Sequence, residues 1–196
     1  MCIRDSDLFE ITRVDVVTFQ AVSGSGQNAI DELINQTKQS LNNQSTKNEV
    51  YGAQIAFNVI PAGNLEENDY TDEEMKISHE TKKILDEKIN ISATTVRVPV
   101  VYGHSIAAHV KTNKKVNLPN LHKAFETQTG LEKYSEKDFL SPNPLEHAEG
   151  KDPVSVGRIR ADLWEEDRVN IWIVADNLRK GAALNSLQIM ERIMEK

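Results

Sequence analysis

Hydrophobic residues recur along this 196-residue chain in two patterns, which predict strands interleaved with helices. Short runs rich in β-branched and aromatic residues are typical of strands. We assign six strands of this kind, to residues 14–19, 54–60, 92–101, 105–111, 154–160 and 169–175. Apolar positions three and four residues apart are typical of amphipathic helices, and they predict helices at residues 28–41, 71–85, 118–128 and 181–196. This order of elements favours an α+β fold with helices on one face of a sheet.

Local motifs mark the ends of several of these elements. The sequence Ser-Gly-Ser-Gly at residues 23–26 predicts a turn between the first strand and the first helix. Thr71 and Glu74 have the spacing of a capping box, which predicts where the second helix begins. Pro119 fits the first turn of the third helix. Residues 132–151 contain two prolines and predict a loop.

Composition and charge narrow the classes of protein that the chain can belong to. With 39% hydrophobic and 27% charged residues, it has the composition of one ordinary globular domain. The net charge of −7 argues against nonspecific binding to nucleic acid, which requires a basic face. The sequence has neither a membrane-spanning apolar run nor the apolar core of a signal peptide, so we expect a cytoplasmic protein.

Cysteine and histidine usage argues against disulfides and metals. The one cysteine, Cys2, excludes an intrachain disulfide and a cysteine-rich zinc site. The five histidines show no ligand spacing, and we expect no metal site.

Several polar residues at predicted element ends could carry chemistry, and each also has a purely structural interpretation. Gln20, at the end of the first strand, could orient a carbonyl group or could simply be solvated. Backbone N–H groups of the 23–26 turn could bind an anion, or the turn could be a flexible connection. Glu73 and Lys76 share a helix face, either as a binding pair for an amino acid and an anion or as a surface ion pair.

Arg97 and His104 are the more specific candidates. Arg97 interrupts a strand rich in threonine and valine, where a guanidinium needs a carboxylate or phosphate partner unless it reaches solvent. His104 follows Gly103 in a break between two extended segments, a common position for a general acid/base and also for an exposed loop histidine. Residues 176–181, including Asn177, could contact a cofactor or cap the last helix.

Eight short segments, in this order, resemble those of aspartate-semialdehyde dehydrogenases. They are TFQAVSGSG (18–26), FNVIP (57–61), YTDEEMK (70–76), ETKKI (80–84), VRVPV (96–100), GHS (103–105), VGRIR (156–160) and ADNLRKGAALN (175–185). The resemblance covers nearly everything from residue 7 onward. It implies that family's dimerisation domain, a mixed and largely antiparallel sheet with helices on one face.

The resemblance also implies a reaction and a set of roles. The reaction is the NADP-dependent interconversion of L-aspartyl 4-phosphate and L-aspartate 4-semialdehyde, on the route to lysine, threonine, methionine and diaminopimelate, through a thioacyl intermediate on a cysteine. The implied roles are as follows: His104 is the acid/base catalyst, Gln20, Glu73 and Arg97 bind the substrate, Lys76 binds phosphate, and Ser23, Gly24 and Asn177 contact NADP.

The sequence departs from the family in one large respect. The family's dinucleotide-binding domain, with its glycine-rich loop and its Asn-Cys-Ser nucleophile motif, has no counterpart here. Cys2 is not followed by Ser or Thr, and residues 1–6 look like a joint or artefact, so the nucleophile's role is not carried to Cys2. We therefore interpret residues 7–196 as the C-terminal catalytic and dimerisation domain, including the final helix, and expect a homodimer that is inactive alone.

Two alternatives stay open from the sequence. The chain could be a stand-alone homodimerising or ligand-binding module without catalysis, which the absent cysteine motif favours. It could also belong to a related reductase of the N-acetylglutamyl-phosphate type, although Glu73, as a partner for a free amine, argues against an acylated substrate.

Overall fold

Within residues 10–66, 68–134 and 141–194, which the computed structural model describes, seven strands form one sheet in the order β2-β3-β1-β4-β7-β6-β5. The strands are β1 (Ile11–Gln20), β2 (Ile60–Pro61), β3 (Asn90–Arg97), β4 (His104–Thr112), β5 (Leu131–Lys133), β6 (Val154–Ala161) and β7 (Arg168–Ala175). The α-helices of the same residues are α1 (Gln27–Leu41), α2 (Asp72–Ile84), α3 (Leu118–Thr127), α4 (Pro144–His147) and α5 (Leu184–Met194). Residues 1–6, which the sequence assigns to a joint, lie outside the described part.

Strand directions bring four element ends to one edge of the sheet. β1 pairs in parallel with β3 and antiparallel with β4, and β4 pairs antiparallel with β7. The carboxyl ends of β1, β3 and β7 therefore lie beside the amino end of β4. The pairs β2–β3 and β6–β7 are also antiparallel, and β5–β6 is parallel. The sheet is thus mixed and largely antiparallel, which confirms the predicted fold class.

One face of the sheet carries both α2 and α3. Leu121 and Phe125 of α3 are buried in the main core together with residues of β4, β6 and β7. Ile77 of α2 lines an apolar groove of about 220 Å³ on the same face, together with Val14 and Val16 of β1. These two helices therefore share one face, as the pattern predicted.

A second hydrophobic cluster lies beyond the sheet, between α1 and the loop that follows it. Ala29, Ile30 and Leu33 of α1 pack there with Val22 and Ile55. This cluster holds α1 next to the sheet edge at which β1 ends. None of the helices in the described residues has the length and apolar character that crossing a bilayer requires.

The predicted strand at residues 54–60 is wrong, because strand pairing there is limited to Ile60–Pro61. The backbone N–H groups of Ile55 and Ala56 donate to the Gln36 side chain, at 2.8 and 3.2 Å, rather than to a neighbouring strand. Phe57 then adopts a positive φ of 59°, which interrupts extended structure.

Other predicted boundaries also change. The extended segment assigned to residues 92–101 ends at Arg97, and Val100 turns back to donate to the Val98 carbonyl oxygen at 2.8 Å. The loop predicted at residues 132–151 contains part of β5 and all of α4, and its residues 135–140 lie outside the described part. The final helix begins at Leu184, after a π-helical turn at Arg179–Ala183.

Candidate active site

The sheet edge described above carries the predicted site residues of three strands. Gln20 is the last residue of β1 and pairs in register with Arg97, the last residue of β3. His104 is the first residue of β4 and pairs with Ala175, the last residue of β7. Asn177 lies two residues after Ala175 in the chain. Residues far apart in the sequence therefore meet because four element ends share one edge.

His104 is held by the backbone of the turn after β1. Its Nδ1 accepts a hydrogen bond from the Ala21 N–H at 3.1 Å, so the hydrogen of the neutral ring lies on Nε2. The pKa of His104 is lowered to about 4, first by burial and then by the charge of Arg97, although Gly103 and Asp176 favour protonation. At neutral pH the residue is therefore an uncharged imidazole that can donate from Nε2.

Arg97 is held by the same residue, Ala21. Its Nη1 donates to the Ala21 carbonyl oxygen at 2.8 Å, and its guanidinium lies 5.7 Å from the centre of the Tyr51 ring. The side chain is only 8% exposed, and burial lowers its pKa. Its Nε has no acceptor among the described residues. Nε is itself buried from solvent, so a carboxylate of a ligand would bind at the Nη groups of the guanidinium.

Gln20 and Glu73 extend the site toward α2. Glu73 Oε2 lies 3.5 Å from Gln20 Nε2, at the limit of a hydrogen bond. The helix is fixed here because Thr71 and Glu74 form the predicted capping box and Glu74 also accepts from the Thr95 N–H of β3 at 3.1 Å. The capping motif, visible in the sequence, therefore places Glu73 beside the end of β1.

Lys76 lies at the rim of the site rather than inside it. Its Nζ is 4.0 Å from Glu73 Oε1, and the two side chains are 58% and 36% exposed. An ion pair this open to solvent contributes little to stability. Lys76 is thus free to approach an anion from the solvent side.

Ser23 and Asn177 form a polar pair on the other side of His104. Asn177 Nδ2 donates to Ser23 Oγ at 3.0 Å, and Asn177 Oδ1 accepts from the Gly103 N–H at 2.9 Å. The neighbouring Asp176 accepts from the N–H groups of Leu178 and Arg179 and so caps the turn before α5. Asp176 therefore supplies the predicted cap, and contact of Asn177 with a cofactor stays a prediction.

Gly24 lies close to both Arg97 and His104. A Cβ atom at this position would lie 3.2 Å from Arg97 Nη1 and 3.5 Å from His104 Nε2. Such contacts are tight or close to van der Waals distance, so a side chain would occupy the approach to both groups. Glycine here leaves Arg97 and His104 uncovered by a side chain from this position.

Sequence reasoning missed Tyr51, which covers one face of the Arg97 guanidinium. It lies in a polar loop between α1 and β2 where no strand or helix pattern marks it. The available signal was an isolated aromatic residue in a loop, which often has a binding role. Cys2, the chain's single cysteine, lies outside the described residues.

Taken together, these side chains offer the groups with which a small zwitterionic or anionic molecule could be bound. The Arg97 guanidinium can bind a carboxylate, and Glu73 can bind an ammonium group. The Nε2–H of His104 can donate to an oxygen on which negative charge develops.

Comparison with known proteins gives a family for the chain. A model of the semialdehyde dehydrogenase dimerisation domain matches residues 2–180. The aspartate-semialdehyde dehydrogenase of Shewanella violacea is 44% identical over 187 residues, which are 94% of this chain and 55% of that protein. Aspartate-semialdehyde dehydrogenase 2 of Vibrio cholerae is 43% identical over 190 residues, 96% of this chain and 56% of that protein. The chain thus spans about half the length of the curated relatives it matches.

Solved structures show the same likeness. The crystal structure of aspartate semialdehyde dehydrogenase II from Vibrio cholerae, complexed with ASA, has a TM-score of 0.94 at 42% identity. The match covers 98% of this chain and 57% of that one. A crystal structure of the Candida albicans enzyme with NADP has a TM-score of 0.59 at 20% identity, over 88% of this chain and 47% of that one, and shows likeness of fold alone.

Proposed function

The chain belongs to the semialdehyde dehydrogenase dimerisation-domain family, and from this premise we propose that it supplies the substrate-binding and acid/base part of an aspartate-semialdehyde dehydrogenase. The proposed reaction interconverts L-aspartyl 4-phosphate and L-aspartate 4-semialdehyde. One observation carries the proposal. The N–H and C=O groups of Ala21 hold His104 and Arg97 side by side, so that a proton donor and a carboxylate-binding group face the same space.

Substrate binding follows from the charges around this space. The Nη groups of the Arg97 guanidinium donate to the α-carboxylate, and Glu73 accepts from the α-ammonium group. Gln20, next to Glu73, orients the same end of the substrate through its carboxamide. Lys76, at the rim, attracts the phosphate that enters or leaves the site.

His104 handles the proton at the carbon that reacts. Its Nε2–H donates to the substrate carbonyl oxygen, where negative charge grows when a nucleophile adds. The Ala21 N–H occupies Nδ1 and prevents that nitrogen from carrying the hydrogen. The ring is therefore fixed in the tautomer that serves as a donor toward the substrate.

The residues assigned to NADP fit only the nicotinamide end of the molecule. Gly24 has no side chain beside His104, so a planar ring could approach there, and the neighbouring Ser23–Asn177 pair offers polar atoms. We assign no other part of the dinucleotide to these residues. NADP, when bound, would supply or accept the hydride.

We further propose that this polypeptide alone has no dehydrogenase turnover. The reaction needs a thiolate, and the single cysteine, Cys2, precedes Ile3 rather than Ser or Thr. The check is NADP reduction by the purified chain with L-aspartate 4-semialdehyde and phosphate. Turnover that disappears in a Cys2→Ser variant would contradict the proposal.

Binding provides the test of the site itself. We expect L-aspartate 4-semialdehyde to bind the chain and to shift the NMR signals of His104 and Arg97. An Arg97→Lys variant keeps the charge but loses the planar fork, and it should bind at least about tenfold more weakly. Equal or tighter binding of an N-acetylated glutamate semialdehyde would instead favour a reductase of the N-acetylglutamyl-phosphate type.

A second candidate function, a homodimerising module, is favoured by the sheet face opposite α2 and α3. Val17, Phe19, Ala107 and Trp172 lie on this face and are half-buried, and the Phe19 and Trp172 rings are 5.6 Å apart. A half-buried apolar sheet face is suited to pack against a copy of itself across a twofold axis. A homodimer could also bind substrate, so dimerisation would occur with or without catalysis.

The oligomeric state tests this second candidate. We expect a dimer in analytical ultracentrifugation and a monomer for Val17→Glu, because the substitution places two like charges in one interface. Leu163→Glu is the matched control, because Leu163 is 87% exposed on the β6–β7 turn and should leave the dimer intact. A Val17→Glu protein that remains dimeric would show that another surface forms the interface.

A further inference from the structure

Two buried polar side chains of α1 hold the loop that follows the helix. Glu32 is 8% exposed, and its Oε2 accepts from the backbone N–H groups of Glu49 at 2.6 Å and Val50 at 2.7 Å. Charge-assisted bonds of this kind are stronger than neutral ones. Glu32 therefore fixes the loop immediately before Tyr51.

Gln36, one helical turn later, fixes the same loop on the other side of Tyr51. Its Oε1 accepts from the N–H groups of Ile55 at 2.8 Å and Ala56 at 3.2 Å. Its Nε2 donates to the Lys47 carbonyl oxygen at 2.7 Å. Gln36 is 1% exposed, so these bonds form away from competing water.

The loop held in this way presents Tyr51 to Arg97. The ring centre is 5.7 Å from the guanidinium carbon, and the Tyr51 hydroxyl donates to the Val22 carbonyl oxygen at 3.4 Å. An aromatic ring at this distance attracts a guanidinium through its negative face. Arg97 is thereby held on one face by Tyr51 and at Nη1 by Ala21.

We propose that Tyr51 is a positioning residue of the carboxylate site, placed by Glu32 and Gln36 so that Arg97 keeps one orientation. The Nη groups that would donate to a carboxylate then point in one direction before a ligand arrives. A preorganised donor binds more tightly because less side-chain freedom is lost on binding. The inference deepens the proposed function and rests on it for the identity of the ligand.

A purely structural role for Tyr51 makes a different prediction. The ring also packs against the cluster of α1 that contains Ile55, so its loss would lower stability in any case. A change in the free energy of unfolding therefore cannot separate the two roles. The orientation of the Arg97 side chain can, because only a positioning role affects it.

The experiment compares Tyr51→Leu with Tyr51→Phe in the full 196-residue chain. Two quantities are measured for each: the Kd of L-aspartate, used as the probe, and the hydrogen exchange of Arg97 Nε–H by ¹⁵N NMR. Removing the ring should weaken binding roughly 3- to 30-fold, the range expected for loss of one cation–π contact, and should speed exchange. Tyr51→Phe keeps the ring, so its Kd and its exchange rate should stay within about twofold of the wild-type values.

A third variant covers the case in which Tyr51→Leu does not fold. Glu32→Gln preserves the side chain's size but removes its charge, so it weakens the hold on residues 49 and 50 at a distance from the site. We expect faster exchange of Arg97 Nε–H and weaker binding of L-aspartate in this variant as well.

The outcomes separate this inference from the proposed function. Unchanged binding and unchanged Arg97 exchange in Tyr51→Leu would overturn the positioning role, and so would unchanged values in Glu32→Gln if Tyr51→Leu does not fold. Failure of the wild-type chain to bind L-aspartate at millimolar concentration would overturn the proposed ligand. In that event the Arg97 exchange decides alone: a Tyr51-dependent rate supports the positioning role, and an unaltered rate refutes it.

Discussion

His104 should remain uncharged well below the pH at which an ordinary histidine takes up a proton. Burial, the positive charge of Arg97 and the Ala21 N–H at Nδ1 all oppose the imidazolium form. The pKa is lowered from 6.5 to about 4. The free energy of unfolding should therefore depend measurably on pH through the protonation of this one residue.

The sign of that link follows from the two states of the chain. Above pH 6.5 His104 is neutral in both the folded and the unfolded protein, and its contribution to stability is complete. Between pH 6.5 and 4 the unfolded chain takes up a proton that the folded chain refuses, so the free energy of unfolding falls as the pH falls. At roughly 1.4 kcal/mol per pH unit, the loss reaches about 3 kcal/mol near pH 4.

A His104→Gln variant isolates this effect from the titration of carboxylates. Urea unfolding at pH 7.5 and at pH 4.5 should show a loss of stability that is about 2–3 kcal/mol larger in the wild type than in the variant. His79→Gln, at an exposed position on α2, is the matched control and should behave like the wild type. An NMR titration of the His104 ring with a midpoint near 6.5 would refute the reasoning.

Three further predictions concern the elements that support the site, and each is checked by urea unfolding. Thr71→Ala should lower the free energy of unfolding by about 1 kcal/mol through loss of the α2 cap, and Thr71→Ser should restore most of it. Gly103→Ala should lower the free energy of unfolding by about 2 kcal/mol or more, because φ is +85° and the new Cβ would lie 2.8 Å from Ala148 Cβ. Gly150→Ala is the control: φ is +72° but no atom lies near the new Cβ, so the loss should be smaller. Gln36→Leu should cost about 2–3 kcal/mol by leaving two buried N–H groups unpaired, and a cost below about 0.5 kcal/mol would show that the loop finds other partners.

Local patterns in the sequence were sufficient for much of the fold. The cap at Thr71 and Glu74 depends on residues three positions apart, so it could be predicted without tertiary information. The strands that contain Val16 and Ile171 were recognisable because β-branched residues dominate them. The run at residues 54–60 has the same local appearance, yet its N–H groups pair with Gln36 of α1, a contact nineteen residues away.

Some residues of the candidate site could likewise be predicted from the sequence, and one could not. The order of the motifs resembling a known family identified His104, Arg97 and Asn177. His104 and Asn177 were also candidates because they lie beside predicted strand ends, and Arg97 because it interrupts a strand rich in threonine and valine. Tyr51 could not be assigned a role, because no local pattern indicates which loop aromatic will face a guanidinium.

The sequence by itself determined the residue types, the strand and helix patterns and the resemblance to a family, because these depend on neighbours along the chain. Tertiary structure decided that Ala21 would hold both His104 and Arg97, since that contact requires the ends of β1 and β3 and the beginning of β4 to meet at one edge. It also decided the charge state of His104. Burial and a neighbouring guanidinium lower that pKa, and both exist only after the chain has folded.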